Sequence, residues 1–162
     1  MSKGTNHGLV VGSLGKDNAD YAKNINVKDI HMINCGKAAG IKVYEGGDAR
    51  GSSTVTNVTI SDVLVDGCDY GFQLQSCYGA KKNCDESPSE AIIDQIFLKN
   101  FHGSTNDKKA PVTANINCPA AGTCNLHFSD WDVKPPSGTA KILCDDVDNA
   151  DLGISCEAGA SG

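Results

Sequence analysis

One arginine, Arg50, and one tryptophan stand among 162 residues, and aromatic side chains make up only 6% of them. With a single guanidinium, binding of any acidic ligand must rest on a few placed lysines. No apolar run approaches the ~18 residues of a membrane-spanning helix, so no membrane partner is expected. Fourteen basic against twenty acidic residues give a net charge of -6 and a pI of about 5.0. Such a chain has no general attraction for nucleic acid or anionic lipid. The opening M-S-K-G-T-N-H-G has no apolar h-region, so no secretory signal is read there. Helical periodicity is also missing, as are C-x-x-C pairs, which disfavours a zinc site.

Cysteine is abundant, at eight residues. Several are spaced as small closed loops, pairing Cys77 with Cys84, Cys118 with Cys124 and Cys144 with Cys156, which points to an oxidising compartment. From a secreted pattern without a signal peptide, the expectation is that the true N-terminus is missing from this sequence. The one N-glycosylation sequon, Asn57-Val58-Thr59, is compatible with an extracellular location.

Self-similarity organises the rest. Four segments align: N-I-N-V-K-D-I-H-M from Asn24, N-V-T-I-S-D-V-L-V from Asn57, Q-I-F-L-K-N-F-H-G from Gln95 and N-L-H-F-S-D-W-D-V from Asn125. Each places apolar residues at +1, +3, +6 and +8 after an amide residue, and only Gly103 breaks the pattern. Apolar residues two apart share one face of a strand. The phase then slips by one residue and the alternation resumes, which demands a bend between two short strands. The slip always falls at Asp or Asn (Asp29, Asp62, Asn100, Asp130), side chains that tolerate left-handed backbone. Copies start 33, 38 and 30 residues apart, enough for one turn of a coil. Further strand runs lie between them: G-L-V-V-G, G-I-K-V-Y, G-F-Q-L-Q, V-T-A-N-I-N and A-K-I-L-C. The reading is an all-β parallel β-helix of four to five coils. It forms one domain over residues 1–162, incomplete at its N-terminal side, with a cysteine-closed tail at 144–162. An antiparallel sandwich has no reason to repeat the slip. Cys35 and Cys68 share a template slot, either as a bond between coils or as stacked thiols.

The stretch T-N-H-G-L-V-V-G-S-L-G, Thr5 to Gly15, has neither the context of a dinucleotide loop nor the Lys-Ser/Thr ending of a P-loop. It resembles the G-H-G-x-x-x-G-S-x-G segment of glycoside hydrolase family 28, the polygalacturonases. A-A-G-I-K-V-Y-E-G-G stands where that family has R-I-K. The segments L-Q-S-C-Y-G, I-F-L-K-N-F-H-G-S-T, N-I-N-C-P-A-A-G-T-C, P-P-S-G-T-A-K-I-L-C-D-D-V and D-L-G-I-S-C resemble the C-terminal half of fungal exo-acting members.

The resemblance implies a right-handed parallel β-helix and hydrolysis of α-1,4-galacturonosyl linkages in pectin, without metal or organic cofactor. It makes His7 the active-site histidine and Lys42 the lysine that binds the galacturonate carboxylate. It also aligns Gly40 with the family's arginine, so a bidentate carboxylate fork is lost. The family's catalytic aspartates precede the histidine, and the six residues before His7 contain no carboxylate. Inverting hydrolysis needs such groups, so the chain by itself is expected to release no galacturonic acid. Asp145-Asp146 reads as a solvated acidic turn, and Glu45, Asp48, Asp66 and Asp69 as loop carboxylates without evident pairing. A non-catalytic binder of acidic oligosaccharides and a structural or interaction module are the competing readings. Self-association through an uncapped N-terminal coil is a further expectation.

Overall fold

In a computed structural model, residues 7–80 and 84–162 are described. Nine strands form in chain order: β1 (Leu9–Leu14), β2 (Asp20–Ile33), β3 (Ala39–Tyr44), β4 (Ser53–Cys68), β5 (Phe72–Tyr78), β6 (Ile92–Thr105), β7 (Val112–Asn117), β8 (Thr123–Lys134) and β9 (Lys141–Asp145). Odd strands make one sheet, in the order β1-β3-β5-β7-β9, and even strands make the other, β2-β4-β6-β8. Every pairing is parallel. A chain that visits the two sheets alternately and advances one strand per visit is a parallel β-helix, and it is right-handed.

The template residues stack slot upon slot. Ile25 pairs with Val58, Val58 with Ile96, and Ile96 with Leu126. The slot at +6 runs Ile30, Val63, Phe101, Trp131 in the same way. The register is held because a one-residue slip would turn the whole apolar set outward. Asp29, Asp62, Asn100 and Asp130 take φ of 57°, 56°, 52° and 52°, the left-handed corner that the phase slip requires. The strands do not end there but continue through the corner as bent strands. A second corner, which the sequence did not announce, falls at Asn24, Asn57 and Gln95, with φ of 58°, 53° and 55°. Both corners carry side-chain ladders: Asn57 Nδ2 donates to Asn24 Oδ1, and Asn100 Nδ2 to Asp62 Oδ1, each at 2.8 Å.

All eight cysteines are bonded, as Cys77–Cys84, Cys118–Cys124, Cys144–Cys156 and Cys35–Cys68. The last ties adjacent coils, with Cα atoms 4.3 Å apart, so the shared slot is a bond and not a pair of thiols. After β9 the chain folds back along β8. Asp148 accepts from the Cys124 N–H at 2.6 Å, Asn149 brackets Leu126 through both its amide atoms, and Phe128 N–H donates to the Leu152 carbonyl at 2.8 Å. Leu152 is buried in the core.

Candidate functional site

The outer face of the odd-strand sheet carries Lys42, and His7 lies just ahead of β1 in the same sheet. On β3, Ala39, Ile41 and Val43 enter the core, which leaves Gly40, Lys42 and Tyr44 outward. Lys42 is nevertheless only 7% exposed. Its Nζ lies 4.7 Å from the centroid of the Tyr78 ring, a cation–π contact. Tyr44 meets Tyr78 edge-on at 5.3 Å. A second lysine, Lys37, is 4% exposed and donates from Nζ to Gln75 Oε1 at 2.6 Å. Burial and the neighbouring charge of Lys42 pull its pKa down to about 8. Among the described residues neither lysine has a carboxylate partner. Buried cations without an anion are costly, and such a cost is characteristic of binding sites.

His7 is exposed. It precedes Gly8, whose backbone is pressed against the Lys37 carbonyl, and Leu9 N–H donates to the Ala38 carbonyl at 3.2 Å. The histidine thus enters the sheet beside the turn that carries Lys37. At the other end of β3, Arg50 grips Glu45 through two donors, at 3.1 and 2.6 Å, and lies over the Tyr44 ring.

Of the four carboxylates expected in loops, three are paired: Glu45, Asp69 and Asp66, the last within β4. Besides Glu45, Asp66 meets His31 at 3.2 Å. Burial pushes the Asp69 carboxyl up, but hydrogen bonds from Asn106 and Lys108 more than offset this and hold it below its ordinary value. Asp145 accepts from Gly159 N–H, and with Asp85 and Asp146 it lines a cavity of about 690 Å³. That acidic lining disfavours a polyanion, so this cavity is a poor place for one. Asn57 is exposed as a sequon should be, although its amide is engaged with Asn24.

Lys37, Gln75 and Tyr78 were not singled out from the sequence. Lys37 sits one residue ahead of the A-A-G-I-K segment and outside the part that carries the resemblance. Tyr78 is hidden by a bulge: Lys42 pairs with Gln75 but Tyr44 pairs with Tyr78, so β5 spends an extra residue there. Strict alternation would have turned Tyr78 inward.

Residues 1–156 match Glycosyl hydrolases family 28. The chain is 52% identical over 157 residues to a probable endo-xylogalacturonan hydrolase A of Aspergillus flavus, covering 96% of this chain and 38% of that protein. It is 50% identical, with the same coverage, to endo-xylogalacturonan hydrolase A of Aspergillus tubingensis. The crystal structure of endo-xylogalacturonan hydrolase from Aspergillus tubingensis superposes with a TM-score of 0.93 at 50% identity, over 96% of this chain and 42% of that one. The chain therefore spans well under half the length of these relatives. Their names carry endo action, where the C-terminal motifs had suggested exo. By these matches the chain belongs to glycosyl hydrolases family 28.

Proposed function

We propose that this chain forms the carboxylate-binding side of a galacturonan cleft in an extracellular, pectin-degrading hydrolase of endo type, acting on xylogalacturonan or a similar backbone. The reaction is hydrolysis of α-1,4-galacturonosyl linkages, with His7 beside the scissile bond and Lys42 holding a uronate carboxylate. One observation carries the reading: Lys42 is buried on the outer sheet face against Tyr78, with no carboxylate partner among the described residues. A buried ammonium in that state gains most from a carboxylate brought by a ligand. The relatives' names support the pectin substrate class, and the four disulfides support secretion.

Calorimetric titration of the chain with α-1,4-trigalacturonate tests this. Binding is expected, and Lys42→Met should weaken it at least tenfold. Equal affinity in the two proteins would sink the proposal. A second reading, binding without turnover, draws on the carboxylates: Glu45, Asp66 and Asp69 are each committed to a neighbouring cation or histidine. No reducing sugar is therefore expected from polygalacturonate with the chain alone. Turnover that vanishes in His7→Ala would exclude the non-catalytic reading.

A further inference from the structure

Lys37 lies in the turn before β3, three residues ahead of Gly40, yet its side chain runs forward over Gly40. A Cβ on Gly40 would stand 2.5 Å from Lys37 Cδ and 2.6 Å from the Gln73 carbonyl oxygen. Real Cβ atoms do not approach so closely, so a side chain at residue 40 would have to displace the lysine stem and the Gln73 carbonyl, and the bare backbone serves as a track for that stem. The track ends at Gln75, where Nζ donates to Oε1 at 2.6 Å. Gln75 is the register partner of Lys42 on the neighbouring strand. The Lys42 ammonium itself lies over the Tyr78 ring on that same strand, near enough for the two lysine charges to act on each other.

We propose that Lys37 is a second carboxylate-binding residue of this face, reaching across Gly40 so that it and Lys42 hold one uronate carboxylate between them. This rests on the reading of Lys42 above. It also restores a cation to the place where the sequence resemblance implied that one was lost with the arginine aligned to Gly40. Two point charges replace a planar fork, so the site selects for negative charge more than for carboxylate geometry. The mutual repulsion and burial that pull the Lys37 pKa down are relieved when an anion lies between the two. Gln75, a neutral acceptor, holds the Lys37 ammonium in place without neutralising it.

The test is titration of the full chain, its Lys37→Met variant and its Lys42→Met variant with α-1,4-trigalacturonate and with its fully methyl-esterified form. Methionine keeps an unbranched stem of similar length over Gly40. Lys37→Met is expected to weaken the acid at least tenfold and to leave the ester unchanged. Affinity for the acid unchanged in Lys37→Met but lost in Lys42→Met overturns this inference and spares the reading of Lys42. Loss in neither variant, or no binding by the unaltered chain, overturns both. If Lys37→Met does not fold, NMR of the lysine ammonium groups in the unaltered chain decides. The Lys37 and Lys42 signals should both move on saturation with the acid, and a stationary Lys37 signal overturns the inference.

Discussion

The first and last coils are built on one template and differ in what lies beyond them. In the first coil Ile25, Ile30 and Met32 are only partly buried, as are Leu9 and Val11 on the other sheet. Their counterparts one coil on, Val58, Val63 and Val65, are fully buried. At the last coil, Leu126 and Val133 are buried too, because the tail returns along β8 with backbone hydrogen bonds and Leu152. Burial in a solenoid is thus a property of having a neighbour on both sides, and the residue type only permits it. Charge follows the same division. The tail end satisfies its acids through the Gly159 and Cys124 N–H groups and the Asn149 side-chain amide, whereas the early coils keep Lys37 and Lys42 without carboxylate partners among the described residues.

The largest difference expected between the ends is in association. Among the described residues β1 pairs only with β3 and β2 only with β4, and we propose that the half-covered apolar residues there associate. Light scattering over a concentration series should show growth in size, reduced by Val10→Lys, which sets a charge on β1. Unchanging monomer mass throughout would remove the contrast.

In the interior, Leu98→Ala should cost about 2–5 kcal/mol, the range for a buried leucine that leaves a cavity. Ile25→Ala, already partly wet, should cost about 1 kcal/mol. Urea midpoints for the two variants measure the gap, and equal losses would show that the first coil is covered in solution.

The smallest effect concerns Lys37. Its pKa falls from 10.5 unfolded to about 8 folded, so between these values the unfolded chain binds more protons. The destabilisation is fully present below pH 8, and stability should rise as pH climbs from about 8 towards 10.5. Among the described residues, the charged group that acts on it is Lys42 on β3. The difference in melting temperature between the unaltered chain and Lys37→Met should narrow across that interval. A constant difference would place Lys37 in water.

Much of the solenoid could be read from residues alone. A phase slip that recurs at Asp29, Asp62, Asn100 and Asp130 constrains strand faces, corner positions and register together, because period-two burial and left-handed backbone each admit few residue types. Loop spacing likewise pointed to three of the four disulfides. His7 and Lys42 were reached only through motif resemblance. Chemical roles of the kind proposed for them leave no periodic trace.

The local pattern of Asp, Asn and paired apolar residues determined the coil, since each rung repeats the same short-range constraints. Only the stacked structure decided which apolar residues are dry, whether Cys35 meets Cys68, that a bulge turns Tyr78 outward, and that Lys37 crosses Gly40 to Gln75. Those outcomes depend on contacts between residues some 30 to 40 positions apart, whose distances are fixed by coil-on-coil packing and not by anything in the chain between them.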